Sequence, residues 1–204
     1  MLTVQTIKNS FTRFKRDISD VEDSVFIEWC DWMNKQAYNF IVGIDPERYI
    51  SDQTYTISNA PQTEAFPSDF QSIDYLGCGL YEVDNSGQDT AFALTRTGFG
   101  RMDVGYYISG GDIVFTGISD SKQYKLRYIP ALTTFNALTD TTVLDDRYLQ
   151  HAVGDIDVLY SQWDVDPSAE SLADFRFVRL LRELGDTVSR DVTAYQIDDF
   201  TQNF

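Results

Sequence analysis

The amino-acid sequence predicts an α+β protein: a helical bundle built from the N- and C-terminal helices, with an antiparallel β module inserted between them. Three observations predict it. Apolar residues recur at helical spacing near the N-terminus and again from Asp145. Between those stretches the period drops to two, and Gly, Pro, Asn and Asp clusters mark turns. Each helical stretch carries one broad apolar face, which must be buried against another element. The expected division is 1–50 for the N-terminal helices, 51–135 for the β-rich insertion, 136–190 for C-terminal helices that pack with the first ones, and 191–204 for an extended acidic tail.

Residues 3–15 read as a short helix, with Ile7, Phe11 and Phe14 at spacings of four and three. Lys8, Arg13, Lys15 and Arg16 make this stretch basic, and no acidic residue precedes Asp17. Such a run serves either as the solvated face of a packed helix or as a docking arm for an acidic surface or DNA. Arg13, Lys15 and Arg16 are therefore candidate partner contacts.

A second, stronger helix follows. Ser19-Asp20-Val21-Glu22 has capping-box spacing, and Asp20, Glu22 and Asp23 suit a positive helix N-terminus. Val25, Trp29, Met33 and Phe40 lie near one face, with Phe26, Cys30, Ala37 and Ile41 beside them. Trp29 and Trp32 read as core or subunit-contact residues. Gly43 is the expected C-cap, with Pro46 three residues on.

From residue 51 the pattern is that of strands. Tyr55 and Ile57 begin it, and Pro61, Pro67, Ser68 and Asp69 punctuate a loop. Cys78 to Val83 reads as a strand, Asn85-Ser86-Gly87 as a turn, and Ala91 to Leu94 as extended. Tyr106–Ser109 and Ile113–Thr116 flank Gly110-Gly111, a hairpin signature. Tyr124, Leu126 and Tyr128 alternate with Lys125 and Arg127, as in a half-buried strand. The expectation is four to six strands.

Helical spacing resumes near Asp145 through Leu149, Ala152, Val153, Ile156, Leu159, Tyr160 and Trp163. Asp166-Pro167 marks a restart, with Asp as N-cap and Pro at the first helical position. Ala173, Phe177, Leu180, Leu181, Leu184 and Val188 form the next stripe. The tail after Arg190 holds no basic residue. Its Tyr195, Phe200 and Phe204 are candidate partner contacts along a neighbour.

Composition excludes several classes. A net charge of -16 argues against wrapping nucleic acid, since phosphate contacts need dense Lys and Arg. No apolar run approaches the roughly 18 residues of a membrane span, and the polar N-terminus does not read as a signal peptide. Cys30 and Cys78 have neither disulfide-framework nor zinc spacing, which fits a reducing cytoplasm.

The search for chemistry returns no motif. His151, the single histidine, sits one helical turn before Asp155, but no GxSxG elbow supplies a nucleophile. Asp155 and Asp157 point to different faces of a helix. Asp164, Asp166, Ser168 and Glu170 resemble a calcium loop, yet Ala169 and Phe175 stand where Gly and Glu are needed. Asp198-Asp199 has no framework around it. Gly98-Phe99-Gly100-Arg101-Met102-Asp103 lacks the third glycine of a dinucleotide site. The expectation is a protein without catalysis, cofactor or metal.

Three stretches, taken in order, resemble the head-to-tail adaptor (head-completion, or neck) proteins of tailed bacteriophages. The first is Phe26–Ala37, with its apolar-Asn-x-x-Ala step at Met33-Asn34 and Ala37. The second is Phe66-Pro67-Ser68-Asp69-Phe70, similar to a Leu-Pro-x-Asp-Phe step entering the β module. The third is the Tyr107–Phe115 hairpin followed by Lys125-Leu126-Arg127-Tyr128-Ile129-Pro130. Asp140-Thr141 and the helix from Asp145 also fall in place. The likeness covers roughly residues 20–185; the basic first helix and the acidic tail depart from it.

The resemblance implies a non-catalytic virion protein of the neck, assembled in the bacterial cytoplasm. It implies about twelve identical subunits in a ring, bound to a portal protein and to a tail or second neck-ring protein. Genomic DNA would pass through without specific binding, and no membrane would be involved. Two other readings compete: a different neck or tail part such as a tail adaptor or terminator, and a small hydrolase or carbohydrate-binding module using His151 and exposed aromatics.

Overall fold

The computed structural model describes residues 1–84, 88–98 and 103–163. The turn expected at Asn85-Ser86-Gly87, most of the Gly98–Asp103 run, the acidic run from Asp164, the second C-terminal helix expected after Asp166-Pro167 and the residues Tyr195, Phe200 and Phe204 lie outside the described residues.

The first helix, α1 (Val4–Phe14), starts at Thr3, whose hydroxyl oxygen accepts from the Thr6 amide at 3.1 Å. Two further amides at its start, those of Val4 and Gln5, donate to the carbonyls of Asp140 (3.0 Å) and Leu138 (2.8 Å). Val4, Ile7 and Phe11 are buried. Phe14, one turn further on, is 66% exposed and is not part of the core.

The second helix, α2 (Asp23–Ile44), does not use the capping box expected at Ser19. Ser19 N donates to Asp17 Oδ1 (3.0 Å) and Val21 N to the Ile18 carbonyl (3.1 Å), so a separate turn consumes those residues. The N-cap is Glu22, whose side chain accepts from the Ser24 hydroxyl (3.4 Å) and not from a backbone amide of the first turn. Nor does Gly43 cap the far end: the helix continues to Ile44, and Asp45 N donates to the Ile41 carbonyl at 2.8 Å. The core row is Phe26, Cys30, Met33, Ala37 and Ile41. Val25, Trp29 and Phe40 are its half-buried flank, and Trp32 is 46% exposed.

A short 3₁₀ turn, Asp146–Tyr148, leads into α3 (Leu149–Trp163). Aromatic rings join the three helices. Phe11 lies edge-on to Phe26 (6.2 Å) and tilted to Tyr160 (5.9 Å), and Trp29 meets Tyr160 edge-on at 6.3 Å. Edge-on and tilted pairs of this kind add about 0.5–1.5 kcal/mol each beyond burial.

Eight strands stand between α2 and α3 among the described residues, against the four to six expected. They are β1 (Ser51–Ile57), β2 (Gln62–Ala65), β3 (Phe70–Ser72), β4 (Gly79–Val83), β5 (Asp89–Ala93), β6 (Gly105–Ser109), β7 (Asp112–Thr116) and β8 (Lys122–Pro130). The two additions fall where the sequence suggested a loop. Gln62-Thr63-Glu64-Ala65 has no apolar alternation because β2 is the edge of its sheet, and β3 is three residues long with a register shift.

All strand pairs are antiparallel. One sheet runs β1-β8-β4-β5, with β3 on the far end of β8; the other runs β2-β7-β6. The β6–β7 hairpin is as expected, with Gly110 (φ 63) and Gly111 (φ 93) supplying the positive angles of its two-residue turn. The chain after β5 crosses to the second sheet, where Tyr106 N donates to the Thr95 carbonyl (3.1 Å) and Thr97 N to the Tyr106 carbonyl (2.6 Å). The inner faces meet in one core of Tyr55, Ile57, Leu80, Tyr106, Ile113, Phe115, Tyr124, Leu126 and Tyr128. Tyr55 Oη donates to the Ala65 carbonyl at 2.9 Å, tying β1 to β2 across the sheets.

The fold is thus α+β. It resolves into two compact units: Met1–Asp45 with Leu132–Phe204, and Pro46–Ala131. The β unit begins and ends a few residues earlier than 51–135. The 3₁₀ turn Pro46–Tyr49 packs with β8, while the extended residues after Leu132 are held by α2. Among the described residues no helix is long and apolar enough to cross a membrane.

Candidate functional site

The basic end of α1 is where candidate contact residues can be placed, and the structure separates them. Asp157 of α3 accepts both of the last two cations: Lys15 Nζ lies 3.2 Å from Oδ2 and Arg16 Nε 3.6 Å from Oδ1. The Arg16 guanidinium also covers the Tyr160 ring at 5.3 Å and reaches Ser161 Oγ at 3.5 Å. Lys8 pairs with Asp23. Arg13 is different. It is exposed, and its guanidinium sits 5.2 Å from the ring centre of its neighbour Phe14. The sequence marked the charge of all four; it did not mark Phe14 as a surface residue.

A second construction is the loop after β8. Asp31 accepts from Phe135 N (Oδ1, 3.1 Å) and from Lys35 Nζ (Oδ2, 2.6 Å), and Lys35 also donates to Thr134 Oγ1 at 3.1 Å. Asn34, only 1% exposed, accepts from Val143 N at 2.7 Å. Asp140 accepts from the amides of Asn136 (2.7 Å) and Ala137 (2.9 Å), which hold its carboxyl below the usual range. Between α2 and this loop lies a groove of about 380 Å³ lined by Asn34, Leu132, Phe135, Asp140 and Thr141 among others. A buried Asp and Asn on the apolar face of a helix were the signal for this joint; only Asn34 drew notice in the sequence, through the resemblance.

Of the catalytic candidates, the described residues include His151 and Asp155, both on α3. His151 is half-buried on α3, with its ring 6.4 Å from that of Tyr148. Asp155 is buried one turn further on. Among the described residues no three His, Cys, Asp or Glu side chains stand together as metal ligands. Burial raises the thiol pKa of Cys30, and of Cys78 to a lesser degree, which disfavours the thiolate in both.

No protein-family model matches the chain, and no curated protein matches it.

Proposed function

We propose that the protein is a structural part of a tailed-phage neck: a head-to-tail adaptor whose copies form a ring of about twelve between portal and tail and continue the DNA channel. One observation carries this reading. Two of the stretches that resemble the adaptor family, Phe66–Phe70 and Lys125–Pro130, meet in a single joint. Tyr128 Oη donates to Asp69 Oδ1 at 2.8 Å across 59 residues of sequence, and Phe70 packs against both Phe66 (3.9 Å) and Tyr128 (5.9 Å). The first of those stretches, Phe26–Ala37, supplies Asn34 to the loop that leads back from the β unit to the helices. Residues that carry a family likeness and also bind one another support a shared architecture more than isolated matches do.

The charge is consistent with that role. A conduit for DNA must not hold its cargo, and -16 per subunit repels phosphate. The portal, a tail or second neck-ring protein and identical subunits are the partners of this reading; catalysis, cofactor and membrane have no part in it. The test is to mix the purified chain with purified portal protein and examine it by negative-stain imaging and native mass spectrometry. Rings or portal-bound copies are expected. A strict monomer without affinity for portal overturns the reading.

A further inference from the structure

We propose that the exposed tip of α1, Arg13 with Phe14, is the contact through which one copy of this chain grips the acidic surface of the next. The proposal rests on the ring reading above and names a contact within that ring.

The chain is electrically polar. Its first sixteen residues hold four cations and no carboxylate, while the whole carries -16, which leaves -20 on residues 17–204. The fold neutralises part of the basic pole internally: Lys8 pairs with Asp23, and Lys15 and Arg16 share Asp157. Asp157 brings one negative charge to two cations, so that cluster keeps a positive excess. Arg13 stands apart from these pairs, and among the described residues no carboxylate lies within ion-pair distance of it. Asp17, the nearest acid along the chain, accepts from Ser19 N at 3.0 Å.

Phe14 supplies the apolar half. A phenyl ring that is 66% exposed beside an arginine is the composition of an interface hot spot, where the ring excludes water and the guanidinium takes a carboxylate. The matching surface is abundant on the chain itself. The basic tip of one copy and the acidic body of the next are different surfaces. Such a contact is heterologous and propagates from copy to copy, which is the kind of contact a closed ring requires. One arginine beside a phenyl ring, on a chain of net charge -16, is too sparse a cation array to hold nucleic acid.

The experiment is sedimentation velocity of the full chain over a range of concentrations, at low and at high salt. It compares wild type with Arg13→Glu, Arg13→Lys and Phe14→Ser, each checked for folding by circular dichroism. Wild type is expected to associate, most readily at a salt concentration that screens the repulsion between two copies of net charge -16, and Arg13→Lys to keep most of that association. Arg13→Glu and Phe14→Ser are expected to weaken it by about tenfold or more, since each removes a hot-spot side chain. Undiminished association of both variants overturns the contact, as does a wild type that stays monomeric alone and on portal. If the variants associate normally but lose portal, the tip serves the portal instead. The inference then fails while the adaptor reading stands.

Discussion

Tyr128 and Asp69 hold the end of β8 to the segment that leads into β3: the phenol donates to Oδ1 at 2.8 Å. Asp69 is exposed, so losing the bond leaves its carboxylate in water rather than stranded. Tyr128→Phe is therefore expected to cost about 1 kcal/mol, a typical net hydrogen bond. Asp69→Ala should cost a similar amount, and the double variant little more than either. A urea-denaturation cycle measures this; fully additive losses would show that the two side chains act independently.

The tyrosines of the β core also set an alkaline limit. Burial pushes Tyr55 from 10.0 up to about 12, with the nearby Glu64 carboxylate adding to it. Burial and the bond to Asp69 push Tyr128 from 10.0 to about 12 as well. Each phenol thus keeps its proton longer folded than unfolded. The stabilisation is complete below pH 10, where both states are protonated, and is lost as pH rises from 10 toward 12. Denaturation midpoints are expected to be flat below that window and to fall within it. Tyr55→Phe should flatten the fall.

What was legible in the sequence was what short-range chemistry decides. The period of α2 and the Gly110-Gly111 hairpin could be read because local spacing and positive φ angles dictate them. β2 could not, because an edge strand of Gln, Thr and Glu owes its shape to pairing with Ile113–Phe115 about fifty residues on. The helix start at Glu22 was hidden because Asp17 draws Ser19 into its own turn. At the basic end of α1 the charges were legible but their use was not. Lys15 meets Asp157 across 142 residues, and nothing in the local pattern separates it from Arg13.

Asn34 gives a sharper perturbation than any surface charge. Its Oδ1 takes the Val143 amide at 2.7 Å inside the helical unit, and Asn34 itself is 1% exposed. Asn34→Ala leaves that amide without its acceptor and opens a small void, for an expected loss of about 2–3 kcal/mol. Asn34→Asp keeps the acceptor and should cost less than Ala if the loop is what matters. Thermal unfolding of the two variants decides the order.

Two glycines predict opposite signs. Gly43 lies inside the last turn of α2, and an added methyl there meets nothing within 4 Å. Gly43→Ala should stabilise by about 0.5–1 kcal/mol, because alanine loses less backbone freedom on folding. Gly105 begins β6 where the chain after β5 crosses to the second sheet. A methyl there would run into Thr97 Cγ2 and lie 2.5 Å from the Thr95 backbone oxygen. The threonine methyl has little room to yield, and the backbone oxygen belongs to the crossing, where the Thr95 carbonyl accepts from Tyr106 N. Gly105→Ala is therefore expected to cost about 1–3 kcal/mol, the range of an overpacked core site. Paired denaturation curves read both at once. A neutral Gly105→Ala would mean that residues 95–97 can move away from β6 at no cost, and that the crossing between the sheets contributes nothing to the stability of the β unit.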